Sequence, residues 1–230
     1  LVPFLIRGRW RVGVGAVAAF AIATLVVPAA VVGPSLTAKA LADWNEKIVG
    51  PSLGGALQGS SVWDQSPQAG LRRLVVDEVC FKETKINLVS VAPETYRQLC
   101  RVLQIMLLVP LAVTWSRARR SDAPAVVLVD AALALVGMVV LFGYNLRAHF
   151  VVLLLPWALL AVLLRRQAPR SRGEVALLAL ASVLIFGTSP GLIGRTASNW
   201  LLAYSAVTIG TLLQLALLVR ARLAWEPPKI

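Results

Sequence analysis

The sequence predicts an all-α membrane protein, a polytopic bundle of about six transmembrane helices with an extracytoplasmic cap of short helices. Of the 230 residues, 58% are hydrophobic and only 15% are charged, and the mean hydropathy is +0.75. Soluble domains are far less apolar. Uncharged runs that are long enough to cross a hydrocarbon core of about 30 Å also recur along the chain. These two observations exclude the soluble classes of protein.

Six segments of the chain are predicted to cross the membrane. They are residues 12–33, 99–116, 123–143, 148–164, 174–194 and 200–219. The first is an uncharged run of 22 residues, which at about 1.5 Å per residue exceeds the hydrocarbon thickness. The fifth ends either at Phe186 or, through a stretch with glycine and proline, at Gly194. A five-span alternative would merge the third and fourth, but Asn145 and Arg147 favour a hairpin between them.

The basic residues predict the orientation of the chain. Arginine clusters precede the first predicted span and follow the second, fourth and sixth, whereas the other two short loops contain one arginine each, Arg147 and Arg195. Lys and Arg in short loops stay in the cytoplasm, so residues 34–98 are predicted to be extracytoplasmic and the tail 220–230 cytoplasmic. Residues 1–11 predict the end of an earlier span and a cytoplasmic loop of a longer protein. This distribution explains the net charge of +12 without nucleic acid, for which no continuous basic face is present.

The long loop, residues 34–98, is predicted to fold as a cap of short helices. Ser35 is placed to cap a helix that lies along the membrane interface and carries Trp44. Ser66, which precedes a proline, is expected to be the N-cap of a second short helix. Pro93 is expected to begin a helix that continues into the second span.

Several short motifs of the chain resemble one known family. They are Arg9-Trp10-Arg11 before an Ala/Val-rich span, Trp44, Asp64-Gln65-Ser66, Leu71-Arg72-Arg73-Leu74, Ile86-Asn87-Leu88-Val89-Ser90, and Ala148-His149-Phe150-Val151 with Pro156. These motifs are similar to the C-terminal half of the bacterial family 87 glycosyltransferases, as far as about Arg166. Two positions depart from the family pattern. Asp64 stands where the family usually has Asn, and Gly143-Tyr144-Asn145-Leu146 replaces a Ser-Pro-x-Ser-Trp turn.

The resemblance implies a GT-C fold and a hexosyltransferase, with mannose as one candidate sugar. Such an enzyme moves the sugar from a polyprenyl-phosphate donor to a lipid or glycan acceptor on the extracytoplasmic face of the bacterial plasma membrane. The family's catalytic aspartate would lie upstream of Leu1, so no catalytic residue is assigned in this chain. No cofactor is expected, since the lipid-linked sugar is a substrate. No metal-ligating residue is assigned in this chain, and the use of a divalent metal is left open.

Six polar residues are the candidates for binding the donor: Gln65, Ser66, Arg72, Arg73, Arg147 and His149. Guanidinium groups suit phosphate, an amide and a hydroxyl suit sugar hydroxyls, and an imidazole can bind phosphate or transfer a proton. Five of the six candidates also have a structural alternative. The arginines would contact lipid headgroups, Ser66 would only cap a helix, and His149 would only anchor a helix at the interface.

Three further residues and two further functions remain open. Asp130 lies inside a predicted span, where a carboxylate is either functional or hydrogen-bonded to a neighbouring helix. Cys80 and Cys100 lie in the extracytoplasmic loop, where a disulfide is permitted. The alternatives to a glycosyltransferase are a transporter or flippase subunit and a non-catalytic membrane scaffold. The scarcity of polar residues in the predicted spans disfavours a transporter.

Overall fold

The computed structural model describes residues 10–49, 61–117, 124–141, 147–166 and 172–224. The elements in these ranges are helices, apart from isolated bridge positions, of which Phe81 and Thr84 pair with each other. The prediction of an all-helical chain is therefore confirmed for the described residues. The chain divides into two compact units, Leu1–Leu57 and Gln58–Ile230.

The first unit consists of an apolar rod followed by a second helix. Helix α1 (Trp10–Ala21) continues through a π-helical turn (Ile22–Val26) into α2 (Val27–Val32), and α3 (Pro34–Trp44) follows after Gly33. Gly33 has φ 94° and ψ 151°, a conformation that is open to glycine and strained for other residues.

The start of α3 corrects the prediction that Ser35 is its N-cap. The N-cap is Gly33, no side chain caps the helix, and Pro34 is the first helical residue. Proline is well suited to this position because its φ is already helical and it has no N–H to satisfy. Inside the helix, the backbone N–H and the hydroxyl of Thr37 both donate to the carbonyl of Gly33, at 3.1 and 2.9 Å.

The second unit is a bundle whose helices differ in length. In chain order they are α4 (Pro67–Val75), α5 (Pro93–Arg117), α6 (Pro124–Leu141), α7 (Leu154–Arg166), α8 (Arg172–Phe186), α9 (Pro190–Ile193), α10 (Arg195–Ala203) and α11 (Ala206–Leu223). A 3₁₀ helix, Arg147–Leu153, leads directly into α7. As predicted, α5 begins at Pro93 and runs unbroken through the second predicted span.

Four helices in the described ranges are long and apolar enough to cross a membrane: Gly13–Val32, α5, α6 and α11. They indicate a membrane protein. The remaining two of the six predicted spans correspond to shorter helices. Helix α8 has 15 residues and is about 22 Å long, less than the hydrocarbon thickness. The 3₁₀ helix and α7 have 7 and 13 residues, which together reach about 33 Å end to end.

The fifth predicted span is interrupted, and no single helix runs on to Gly194. Helix α8 ends at Phe186, the earlier of the two ends considered. The N–H of Gly187 still bonds the carbonyl of Val183, at 2.8 Å, but Pro190 has no N–H and cannot continue the ladder. The hydroxyl of Ser198 then holds the turn by donating to the carbonyl of Thr188, at 2.6 Å.

The sixth predicted span, residues 200–219, is also displaced. Helix α10 ends at Ala203, and α11 begins at Ala206 and extends to Leu223. Between them, Ser205 has φ 59° and ψ 35°, the left-handed helical conformation. The left-handed backbone of Ser205 therefore interrupts the helix at a point without glycine or proline.

Helix α11 lies at the centre of the bundle, where it contacts α5, α6, α7, α8 and α10. It packs tightly against α8 at Gly210. A Cβ at this position would lie 2.8 Å from Cγ1 of Ile185 and 3.0 Å from the carbonyl oxygen of Ala181. Glycine is therefore needed for the two helices to pack at this distance. Around them, Leu133 and Leu218 are among the fully buried core residues.

Two ion pairs connect the C-terminal part of α11 to its neighbours. Nε of Arg222 lies 2.9 Å from Oδ1 of Asp130 on α6, and both side chains are 1% exposed. Nε of Arg220 lies 2.7 Å from Oε1 of Glu174 on α8. We call this end of the bundle the ion-pair end. Two alternatives were considered for Asp130. The structure shows the hydrogen bond to a neighbouring helix, and the donor is Arg222.

Candidate functional site

A cluster of buried polar groups lies at the opposite end of the bundle, where residues 61–73 meet the junction of α10 and α11. We call this cluster the polar node; it consists of Asp64, Gln65, Ser66, Arg73, Ser205 and Thr208. Five of these residues are buried, and Ser205 is partly buried. Because the node surrounds the start of α11, we call this end of the bundle the node end.

Ser66 caps helix α4, as the sequence predicted. Its Oγ accepts a hydrogen bond from the N–H of Ala69, at 3.1 Å, and Pro67 is the first helical residue. Oδ1 of Asp64 in turn accepts from the N–H of Ser66, at 2.9 Å. The cap is fully buried, which favours the structural alternative for Ser66 over a contact with sugar.

Gln65 joins the start of α4 to the end of α10. Its Nε2 donates to the carbonyls of Val62, at 2.7 Å, and Leu202, at 2.9 Å. The backbone carbonyl of Gln65 accepts a hydrogen bond from the hydroxyl of Thr208, at 2.6 Å. The side chain is 0% exposed. Both amide protons of Gln65 are thus used inside the protein, and the structure gives the residue a structural role in place of the predicted contact with sugar hydroxyls.

Arg73 is buried at the centre of the polar node and is 1% exposed. Its guanidinium donates to four oxygens, namely the carbonyls of Ser61 (2.9 Å), Asp64 (2.8 Å) and Ala203 (3.0 Å) and the hydroxyl of Ser205 (2.7 Å). Burial lowers the pKa of Arg73 to about 10, and the nearby charge of Asp64 opposes this shift. The structure therefore assigns Arg73 to the interior and not, as the sequence suggested, to the phosphate of a donor.

The polar node explains why α10 and α11 are separate helices. The last carbonyls of a helix have no partner within it. Here the carbonyl of Leu202 is bonded by Gln65 and that of Ala203 by Arg73. The left-handed conformation of Ser205 costs about 1–2 kcal/mol for a residue with a Cβ, and the hydrogen bond from Arg73 to its hydroxyl offsets part of that cost.

Gly70 allows α4 to approach this junction. A Cβ on Gly70 would lie 2.6 Å from Oγ of Ser205, closer than two such atoms can pack. Gly70 and Arg73 are three residues apart and therefore lie on one face of α4. On the face that touches the α10–α11 junction, Gly70 leaves room for close packing. The long side chain of Arg73 extends past Gly70 to bond Ala203 and Ser205.

Arg72 lies on a different face of α4 and is partly exposed. Its Nε and Nη2 bond the two carboxylate oxygens of Glu78, the former at 3.0 Å. The guanidinium also lies over the ring of Tyr96, 5.4 Å from its centroid. The hydrogen bond to Glu78 raises the pKa of Arg72 above its usual value. Glu78 takes two of the five N–H donors of Arg72, so a phosphate that reached Arg72 would have to share the guanidinium with this carboxylate.

The remaining two candidates, Arg147 and His149, belong to the 3₁₀ helix that precedes α7; their side chains are outside the part of the chain that the structure describes. The backbone of this helix lies at the node end, beside an apolar groove of about 410 Å³. The groove is lined by Phe150, Val151, Leu154, Ile185, Phe186, Ser189, Pro190 and Val207. Val207 is adjacent in sequence to Thr208 of the polar node.

The cysteines and the acidic residues form no further site in the described ranges. Cys80 and Cys100 are both buried and are not joined in a disulfide, so the permitted disulfide is absent. The thiol of Cys80 instead donates to the carbonyl of Thr84, at 3.1 Å. Among the described residues, no group of three or more His, Cys, Asp or Glu side chains could hold a metal ion.

Sequence reasoning missed two members of the polar node, Ser205 and Thr208. Both are small polar residues at the start of an apolar helix, a pattern that by itself indicates neither a break nor a site. No protein-family model matches the chain, and neither a curated protein nor a solved structure matches it.

Proposed function

We propose that this chain is part of a membrane glycosyltransferase of the GT-C type. It would move a hexosyl group from a polyprenyl-phosphate donor to a lipid or glycan acceptor at the extracytoplasmic face. The proposal rests on the motifs that resemble the bacterial family 87 enzymes. One structural observation supports it most directly. The motif around Gln65 and the 3₁₀ helix that carries His149 are about 80 residues apart in sequence, yet both lie at the node end of the bundle.

The apolar groove is suited to the lipid part of such a donor. Its lining is almost entirely aliphatic and aromatic, and its volume of about 410 Å³ is within the range of small-molecule sites. An isoprenoid chain bound there would place its phosphate near the backbone of the 3₁₀ helix. Arg147 and His149 are therefore our candidates for the phosphate, since a guanidinium and an imidazolium both donate charge-assisted hydrogen bonds.

The polar node has a different role in this proposal. Gln65 and Arg73 use their donors on carbonyls of the protein, so they would position the cap against the bundle without touching the donor. Arg72 is already bonded to Glu78, so a phosphate would have to share its guanidinium with that carboxylate. In this arrangement the 3₁₀ helix and the groove would hold the donor, and the polar node would fix the position of α4 relative to them.

The test uses the full-length protein that contains this chain, purified into proteoliposomes. It is incubated with a panel of polyprenyl-phosphate hexoses that includes the mannose derivative, together with a membrane extract that supplies lipid and glycan acceptors. Release of polyprenyl phosphate and incorporation of the sugar into the acceptor fraction are both measured. We expect release from at least one donor and a large reduction in the Arg147→Ala variant. Arg117→Ala is the matched control, because Arg117 is an exposed arginine at the C-terminal end of α5, away from the node end. If the wild-type protein consumes none of the donors, the proposal is wrong.

A further inference from the structure

The segment between α8 and α11 exposes an unusual number of large apolar side chains. They are Leu192, Ile193, Trp200, Leu201 and Tyr204, and Leu192 is 73% exposed. The segment consists of the short helices α9 and α10 with their flanking turns. In water, such a contiguous apolar surface would favour association or aggregation.

Helix α10 has two opposite faces. One face is buried in the bundle and contains Ser198, Leu202 and Ala203. At about 100° per residue, Trp200, Leu201 and Tyr204 fall on the other side of the helix. The exposed face is therefore the more apolar of the two, the reverse of a helix on a soluble protein.

The aromatic side chains of this face form a supported group. The rings of Trp200 and Tyr204 are stacked, with centroids 6.3 Å apart and planes at 19°. Phe81 meets Trp200 edge-on, at 5.3 Å. Trp and Tyr combine an apolar ring with a polar tip and are enriched where membrane and water meet.

The position and charge of the segment agree with a lipid surface. It connects the end of α8 to the start of α11, a helix that is long enough to cross a membrane, so it lies where the chain turns around at the node end. Residues 187–205 contain Arg195 and no Asp or Glu. A single cation without acidic neighbours complements anionic headgroups.

We propose that α9 and α10 lie in the membrane–water interface, with the exposed face of α10 in contact with phospholipid. The inference goes beyond the proposed sugar transfer and does not depend on it. Because Gln65 and Arg73 bond the carbonyls of Leu202 and Ala203 on the same helix, lipid contact by α10 also sets the height of the polar node relative to the bilayer.

Spin labels on single introduced cysteines test this placement. The intact protein is reconstituted in phosphatidylethanolamine–phosphatidylglycerol vesicles and labelled at Leu192→Cys, Ala197→Cys or Leu201→Cys. Ala197 is exposed on the same helix as Leu201, and its replacement by Cys removes no large side chain. If Leu201→Cys does not fold, Ala197→Cys still tests the placement of α10. Lys82→Cys, in an exposed turn, is the aqueous reference, and Met106→Cys, 64% exposed in the middle of α5, is the hydrocarbon reference. Wild-type protein gives the background, since Cys80 and Cys100 are buried.

The readout is the collision rate of each label with oxygen and with a water-soluble nickel complex. We expect the labels on α9 and α10 to be reached by oxygen more than by nickel, at a depth between the two references and roughly 5–10 Å below the phosphates. Nickel access equal to that of Lys82→Cys would overturn the proposal and indicate an aqueous surface, such as one that stacks on sugar rings. Low access to both reagents would also overturn it, because the face would then be covered by protein.

Discussion

The guanidinium of Arg73 donates from Nη2 to the hydroxyl of Ser205, 2.7 Å away and 132 residues later in the sequence. The bond joins a helix of the cap to the one residue between α10 and α11 whose backbone is left-handed. Arg73 also donates to the backbone carbonyl of Ala203. In a continuous helix this carbonyl would instead accept from a backbone N–H four residues later. The position of α4 and the break between α10 and α11 therefore depend on each other.

Replacing Arg73 should destabilise the protein far more than replacing its neighbour. Arg73→Met leaves two buried and two partly buried oxygens without their donor, and at about 1 kcal/mol for each the loss is on the order of 4 kcal/mol. Arg72→Met removes a partly exposed ion pair with Glu78, for which we expect about 1 kcal/mol. The measurement is the free energy of unfolding in detergent micelles. Equal losses in the two variants would mean that the polar node contributes no special stability.

Gly70 and Ser205 should be coupled energetically. Gly70→Ala places a methyl group 2.6 Å from Oγ of Ser205, and overpacking of this kind costs about 1–3 kcal/mol. Ser205→Gly removes the opposing hydroxyl and permits the left-handed backbone without strain. The cost of Gly70→Ala should therefore be smaller by about 1 kcal/mol in the Ser205→Gly background. A double-mutant cycle on unfolding free energies measures this, and strictly additive values would contradict the packing described here.

The ion pair between Asp130 and Arg222 predicts a large difference between two arginines on α11. Arg222→Leu leaves a buried carboxylate without its cation, which costs about 3–5 kcal/mol. Arg220→Leu breaks a pair in which the arginine side chain is 66% exposed, so its effect should be small.

The double variant Asp130→Leu/Arg222→Leu separates the loss of attraction from the burial of a lone charge. Replacing a buried pair by apolar residues is often neutral, so we expect it to recover most of the stability lost in Arg222→Leu. Thermal stability in micelles and the folded yield in membranes measure both comparisons. A double variant as unstable as Arg222→Leu would show that the pair itself holds α6 and α11 together.

The sequence predicted the helical class well because that class depends on composition and local signals. The apolar runs, the cap at Ser66 and the start of α5 at Pro93 each require only neighbouring residues. The division between α10 and α11 could not be predicted in this way. No glycine or proline marks it, and the groups that stabilise it belong to Gln65 and Arg73, more than a hundred residues earlier.

The different roles of the two adjacent arginines had a weak signal in the sequence. Arg73 follows Ala69 and Gly70 at helical spacing, and a face with such small residues is suited to close packing. Arg72 lies outside that face. The pair Arg72-Arg73 looks like one basic site when it is considered as a motif, but the helical phase of α4 buries one guanidinium and leaves the other partly exposed.

His149 is the residue on which the proposed sugar transfer makes its sharpest prediction. If its imidazolium binds the donor phosphate, His149→Gln keeps one hydrogen-bond donor but loses the charge, which should weaken transfer by about 1–3 kcal/mol, or roughly 5-fold to 150-fold. Initial rates for the full-length enzyme, normalised to folded protein and compared at several pH values, measure the effect. Equal rates for the two proteins at every pH would remove His149 from the phosphate site and leave it the role of an interfacial anchor.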